Sequence, residues 1–186
     1  MEIFGRQVVI DLIFLIFCLG TVYSAVSKGV IPELFKTIGL LAGTFLAFQY
    51  YPFLSTVLCE KILILNQRLL NFISFFIIFF GIKLIFSFLR LILAALIKRE
   101  HIPLGERWAL CFTGLARGVL FLSVMFFLAS LSSLPQQRLY RSLFYKVSKN
   151  AAPKFYIISF ELYKKFNPYI SFNKEVREYE AKKTLY

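Results

Sequence analysis

The sequence predicts an all-α polytopic membrane protein with four transmembrane helices and a basic, partly amphipathic helical C-terminal tail. Two windows carry no charge: Thr37–Cys59, with 23 residues, and Gly118–Gln137, with 20. Hydrophobic residues make up 59% of the chain, and 23 of its 186 residues are Phe. A bilayer core about 30 Å thick is crossed by about 20 apolar residues in a helix. Because no water is available there to bond a bare backbone, the crossing segments must be helical.

The first helix is predicted over about Val8–Val26. This segment resembles a signal peptide, with Arg6 as its basic start. However, Asp11 interrupts the apolar run, and Tyr23 occupies a position before the cleavage site where a small residue is required. We therefore expect a retained membrane helix.

The second helix is predicted from Pro32 to about Tyr50. Proline is tolerated in the first turn of a helix, and Glu33 beside it suits the positive end of the helix dipole. Pro52 is expected to bend or stop this helix. The apolar segment Phe53–Leu65, which contains a glutamate and a lysine, is expected to lie at the membrane interface.

The third helix is predicted over about Leu69–Ile97, longer than one crossing requires, so it is tilted or projects from the lipid. A polar loop follows over Lys98–Arg107. The fourth helix is predicted over about Trp108–Leu134 and ends at Pro135. Residues 1–135 are thus expected to form a four-helix transmembrane domain.

Residues 136–186 form the predicted tail, which holds 11 Lys or Arg and four Glu, out of a net charge of +12 for the chain. Such charge beside a membrane predicts contact with anionic lipid headgroups. Nucleic acid is not predicted as a partner, because no recognition motif accompanies the charge. The aromatic segment Phe155–Phe166 fits either a helix in the headgroup region or one packed on its own bundle. From Asn173 onward the tail is expected to be polar and mobile.

Four crossings put both termini on one side of the membrane. That side carries 14 Lys or Arg against 5 on the other, or 7 against 5 when only tail residues near the fourth helix are counted. The positive-inside rule therefore predicts cytoplasmic termini.

Charged residues within or beside the predicted crossings are candidates for function, because charges are costly in lipid and usually face a bundle interior or a wet cavity. They are Asp11, Glu33, Lys83, Arg90 and Arg117. Glu33 is the predicted partner of Arg90 or Arg117, which fall at a similar depth. Three roles remain open for the cations: a structural ion pair, snorkelling towards an interface, and a polar transport path.

Two pairs of glycines have the G-x-x-x-G spacing that lets membrane helices approach closely. They are Gly39 with Gly43, and Gly114 with Gly118. We expect each pair to lie at a helix–helix contact.

No pattern of catalytic or metal-ligating residues is recognisable. His101 is the only histidine, and Cys18, Cys59 and Cys111 are isolated in or near apolar segments. Neither the spacing of a metal site nor a serine-hydrolase motif is present. We therefore predict no enzyme activity, no metal and no cofactor.

The order of several short motifs resembles the colicin V production protein (CvpA) family of bacterial inner-membrane proteins. The matching elements are Asp11-Leu12-Ile13, Lys28-Gly29 with Glu33, Gly39-Leu40-Leu41-Ala42 with Ala47 and Tyr51-Pro52, Arg107 with Gly114 and Arg117-Gly118, and Ser142-Leu143. The resemblance covers about residues 8–145. The first loop differs, because Ser24-Ala25-Val26-Ser27 stands where the family often has glycine and arginine, and the basic tail lies outside the family's pattern.

The resemblance implies a multi-pass protein of the bacterial inner membrane with a part in colicin V-like toxin production or export. The leading interpretation is a small non-enzymatic protein accessory to export or envelope maintenance. The first alternative is a subunit of a small oligomeric transporter or channel with an intramembrane polar path, since four helices are few for a complete carrier. The second is a scaffold whose tail recruits a partner. Its partners would be the bilayer, anionic headgroups, and a second copy of the chain or an export or envelope protein.

Overall fold

The computed structural model confirms an all-α fold with four long apolar helices. It describes residues 2–61, 66–96, 104–131, 148, 150–169, 171–173 and 176. The helices in this part of the chain are α1 (Glu2–Lys28), α2 (Val30–Lys61), α3 (Gln67–Leu96), α4 (Leu104–Leu131) and α5 (Ala151–Phe166). The first four are long and apolar enough to cross a membrane, whereas α5, with 16 residues, is shorter than a crossing requires.

A single glycine separates α1 from α2. Gly29 has a φ of 88°, in the left-handed region that residues with a side chain rarely adopt. This conformation ends α1 and lets α2 begin at the next residue. Its carbonyl accepts the backbone N–H of Glu33 at 3.3 Å. Pro32 lies in the first turn of α2, where the missing N–H would have no partner within the helix.

The expectation that the second helix stops at Pro52, with a separate segment after it, needs correction. α2 continues through Pro52 to Lys61, and residues 62–65 lie outside the described part of the chain. Proline at position 52 supplies no N–H to the carbonyl of Phe48, one helical turn earlier. The side-chain amide of Asn173 donates to that carbonyl at 2.6 Å. A residue of the tail thus replaces the hydrogen bond that the proline removes.

The other helix bounds also shift. α1 begins at Glu2 rather than near Val8. α4 begins at Leu104, so the last residues of the predicted 98–107 loop are helical. Residues 97–103, including His101, and residues 132–147, including Pro135, lie outside the described residues.

The bundle is built mainly from two helix pairs, because α2 packs most extensively on α3 and α1 on α4. Aromatic rings fill the centre between them. Phe48 of α2 lies with its ring centroid 4.3 Å from that of Phe127 and 5.3 Å from that of Phe75. Tyr51 and Tyr156 complete this fully buried group. Rings at these separations add specific contacts to the area that they bury.

The outer surface of the four long helices is apolar. Large exposed side chains include Leu12, Ile16, Leu84, Leu91 and Phe112. A surface of this kind would be unfavourable in water but suits the hydrocarbon of a bilayer. The protein is therefore a multi-pass membrane protein whose helices contact lipid.

The helix in the tail packs against its own bundle, on α2 and α4. Ala152, Tyr156 and Phe160 are buried, and the backbone N–H of Ala152 donates to the hydroxyl of Ser123 on α4 at 2.8 Å. The opposite side of α5 carries exposed residues, with lysines at positions 154, 164 and 165.

The end of the tail differs from the expected polar, mobile segment at two positions, because Asn173 and Val176 are buried. The backbone N–H of Asn173 donates to the hydroxyl of Tyr156 at 3.3 Å, and this hydroxyl donates to the side-chain carbonyl of Gln49 at 2.6 Å. Burial raises the pKa of Tyr156 to about 12, against the opposing effect of the hydrogen bond from Asn173.

Candidate functional site

The site is centred on Glu33, a carboxylate in the first turn of α2 with 1% exposure. Its position follows from the turn at Gly29, which starts α2 immediately after α1 and holds the first turn of α2 near the C-terminal end of α1. The positive end of the α2 dipole favours a carboxylate there. A buried charge of this kind requires a partner.

Two cations meet this carboxylate. Arg117 of α4 forms an ion pair with its Oε1, and Lys36, one turn further along α2, lies 3.2 Å from its Oε2. Both cations are also tied to α1: Arg117 donates to the carbonyl of Thr21 at 3.2 Å, and Lys36 donates to the hydroxyl of Ser24 at 2.9 Å. The cluster therefore joins α1, α2 and α4.

Two further cations lie on one side of α3, beside a cavity. Lys83, Ser87 and Arg90 follow the i, i+4, i+7 spacing of a single helix face. All three line a cavity of about 240 Å³. The ammonium group of Lys83 lies 4.2 Å from the ring centroid of Phe121, in the range of a cation–π contact.

All four long helices contribute to this cavity. Its walls are lined by Phe17, Thr21, Lys36, Gly39, Leu40, Lys83, Phe86, Ser87, Arg90, Arg117 and Phe121. Among the described residues, this lining holds four cations and no carboxylate. Glu33 is not part of the lining but is paired with two of the cations in it, Lys36 and Arg117. With Glu33 counted, the formal charge around the cavity is +3.

Close helix contacts at the glycines bring the cations to the cavity. A Cβ atom at Gly114 would lie 2.9 Å from the Cα of Val22 on α1, and one at Gly118 would lie 2.8 Å from the Thr21 hydroxyl. α4 therefore approaches α1 closely on both sides of Arg117, and its guanidinium reaches the α1 backbone. In α2, a Cβ at Gly39 would lie 2.6 Å from the Cβ of Phe86 on α3. Gly43 is less tight, with 3.4 Å to the carbonyl of Phe79.

The structure therefore brings together four of the five charged residues singled out in the sequence: Glu33, Lys83, Arg90 and Arg117. Asp11 does not line the cavity; it lies ten residues before Thr21 on α1, about 15 Å along the helix axis. Of the two arginines predicted as partners of Glu33, Arg117 makes the ion pair, and Arg90 lies on the cavity wall.

Sequence reasoning missed Lys36, Ser24 and Thr21 as parts of the cluster. Lys36 could have been predicted as a partner of Glu33, because its i, i+3 spacing from Glu33 places both residues on one face of a helix. The two α1 residues carried no comparable signal. Their role depends on how α1 packs against α4.

Among the described residues, no group of three His, Cys, Asp or Glu could hold a metal ion. Cys18 is buried, and Cys59 and Cys111 are half-buried, all as free thiols. The chemistry of the site is therefore that of positive charges and hydroxyl groups around a cavity.

Four apolar helices around a cationic cavity define a small multi-pass α-helical membrane protein. The chain belongs to the colicin V production protein family, whose family model matches residues 10–153. The match covers α2 to α4 entirely and most of α1, and it stops within the first turn of α5. Neither the comparison with curated proteins nor that with solved structures gives a match.

Proposed function

We propose that the protein is a non-enzymatic component of the bacterial inner membrane, accessory to production or export of a colicin V-type toxin or to maintenance of the envelope. The observation that carries this proposal is the family match over residues 10–153, which coincides with the four-helix bundle.

Deletion of the gene in a strain that secretes a colicin V-type toxin tests this proposal. Toxin activity is measured separately in the medium and in lysed cells, and envelope integrity is measured as sensitivity to detergent. We expect the deletion to lower the fraction of toxin in the medium or to raise detergent sensitivity. The wild-type gene and an exposed control variant on α2, Glu60→Gln, should both restore the phenotype, whereas Glu33→Gln should not. Unchanged toxin distribution and unchanged detergent sensitivity would contradict the proposal.

The proposed location has both termini in the cytoplasm, on the basis of the Lys and Arg distribution. A reporter that is active only in the cytoplasm is fused after Tyr186 and, separately, within Lys98–Arg107. The fusion after Tyr186 should be active and the fusion in the loop inactive. The reverse pattern would overturn the orientation.

The cationic cavity favours a second candidate function, a subunit of an oligomeric transporter or channel. Cations that line a cavity between membrane helices are a usual feature of substrate and ion paths. Purified protein in liposomes should then conduct a small anion above the level of empty liposomes. Lys83→Leu should lower this flux and the exposed control Arg68→Leu should not. Flux equal to that of empty liposomes contradicts transport.

We also propose that the exposed side of α5 contacts anionic headgroups, in addition to the packing of α5 on the bundle. Lysines 154, 164 and 165 lie on that side together with exposed apolar residues, a combination typical of helices at a membrane surface. Neutralising these lysines should weaken binding to vesicles that contain phosphatidylglycerol. Equal binding of the variant and the wild type would leave the lysines without this role.

A further inference from the structure

The cations of the cavity are not equally committed to partners within the protein. Arg117 forms an ion pair with Glu33 and donates to the Thr21 carbonyl, and Lys36 forms an ion pair with Glu33 and donates to the Ser24 hydroxyl. Lys83 and Arg90 have no carboxylate partner among the residues that the structure describes. The cavity cations without a described carboxylate partner therefore both lie on α3.

A surplus of positive charge inside a membrane bundle is unfavourable without a counter-charge. Lys83 lies 16 residues from the start of α3 and 13 residues from its end, about 24 Å and about 20 Å along its axis, and so near the middle of the helix. Its contact with the Phe121 ring holds the charge at the cavity wall. The cluster thus keeps at least one cation without a carboxylate partner among the described residues.

From this arrangement we propose that the cavity is a binding site for a phosphate-type oxyanion, held mainly by Lys83, Ser87 and Arg90. A guanidinium binds such a group through two parallel hydrogen bonds, an ammonium adds a point charge, and a hydroxyl adds a further donor. The anion would lower the +3 charge of the cluster. The inference does not depend on the proposed function, because a bound anion serves an accessory protein and a transporter subunit equally.

The size and access of the cavity suit this ligand. Its volume of about 240 Å³ is several times the roughly 30 Å³ that one water molecule occupies in the liquid. Lys83 and Ser87 are exposed at the surface of the bundle, so a ligand has access to them. Apolar residues exposed beside them on α3, Leu84 and Phe88, face the hydrocarbon. The phosphate group has two sources that share this chemistry: an anionic lipid headgroup or free inorganic phosphate.

Two arms of one experiment separate these sources. In the first, the purified full chain in a neutral detergent is titrated with inorganic phosphate, with chloride at equal ionic strength as the control, and thermal stability is recorded. In the second, binding of phosphatidylglycerol and of phosphatidylcholine is measured by native mass spectrometry. Each arm is repeated with Arg90→Gln and Lys83→Gln. Arg68→Gln, an exposed change at the other end of α3, is the matched control.

The proposal expects saturable stabilisation by phosphate, preferential binding of phosphatidylglycerol, or both. Arg90→Gln and Lys83→Gln should each weaken that binding at least about fivefold, and Arg68→Gln should leave it unchanged. Sensitivity in the phosphate arm identifies a soluble anion, and sensitivity in the lipid arm alone identifies a headgroup.

The stability of the variants without ligand provides a second readout. Because Arg90→Gln removes a charge that has no described counter-charge, it should unfold at a temperature no lower than that of the wild type. Binding that is insensitive to both α3 variants, or no selectivity for phosphate or phosphatidylglycerol, would overturn the proposal. The proposal would also be overturned if Arg90→Gln, measured without ligand, lowered the stability of the protein as much as breaking an ion pair does.

Discussion

Replacing Glu33 with Gln removes the only negative charge among the described residues of the ion cluster while keeping the shape of the side chain. The carboxylate is 1% exposed and meets two cations, so both would be left without their counter-charge. Breaking a buried ion pair from one side costs about 3–5 kcal/mol. Because the Gln side chain still offers one carbonyl oxygen to Arg117, we expect a loss near the lower limit, about 3 kcal/mol.

Double variants assign this loss to particular contacts. Arg117→Gln added to Glu33→Gln should recover part of the loss, with a coupling of about 1–3 kcal/mol. The Lys36 side chain is 16% exposed, against 10% for Arg117, so the coupling of Lys36 to Glu33 should be smaller, about 0.5–1 kcal/mol. Recovery remains incomplete with either partner, since Glu33 also interacts with the α2 dipole, which contributes about 0.3–1 kcal/mol.

The assay is reversible unfolding of the purified protein in mixed micelles, with the free energy of unfolding measured for each single and double variant. Glu33→Gln combined with the exposed Arg68→Gln should be additive to within about 0.5 kcal/mol. Coupling with Arg90 should be smaller than with Arg117. Additive losses for Glu33 and Arg117 would refute the ion pair as a source of stability, and Glu33 would then remain as a residue of the helix terminus.

Three further perturbations address packing, the tail and pH. Gly114→Ala places a methyl group against the α1 backbone and should lower the free energy of unfolding by about 1–3 kcal/mol. The control Gly81→Ala, with open space around it, should leave that free energy unchanged or raise it by up to about 1 kcal/mol. Equal unfolding free energies for the two variants would contradict the close contact. Asn173→Ala leaves the buried Phe48 carbonyl unpaired and should lower the free energy of unfolding by about 1–3 kcal/mol. The loss should be smaller in a Pro52→Ala background, because the restored N–H at position 52 donates to that carbonyl. Equal losses in both backgrounds would disprove the compensation. The pKa of Tyr156 is raised on folding from about 10 to about 12, so its contribution to stability is complete below pH 10 and declines as the pH rises through about 12. Tyr156→Phe should flatten that decline in unfolding free energies measured up to pH 11.5, and an unchanged slope would rule out this residue as the cause.

The four crossings could be predicted from the sequence because hydrophobic length reports directly on the thickness of a bilayer. The end of the second helix could not be predicted from the sequence. The Phe48 carbonyl, which Pro52 leaves without its helical donor, accepts a hydrogen bond from Asn173, more than 100 residues later, and no local pattern encodes such a contact. The tail after Asn173 is predicted to be mobile because its local sequence is polar. The burial of Asn173 and Val176 depends on contacts with distant residues, which that sequence does not show.

The candidate site could be predicted in part. Intramembrane charges stand out in a sequence because they are costly, which identified Glu33, Lys83, Arg90 and Arg117. Their depths narrowed the partner of Glu33 to two arginines, but the choice between these depends on the rotation of α3 and α4 about their axes. The cavity was beyond sequence reasoning, because it is defined by the space between helices.

Packing and charge act as one unit in this site. Arg117 lies between Gly114 and Gly118, and both glycines are in contact with α1. The close approach allows the guanidinium to bond the Thr21 carbonyl and to reach Glu33 across the bundle. A side chain at either glycine would push α1 away, and Arg117 would lose its α1 partner even though no charge had changed. The losses from Gly114→Ala and Glu33→Gln should therefore not add when the two substitutions are combined, because each weakens the contacts that the other disrupts.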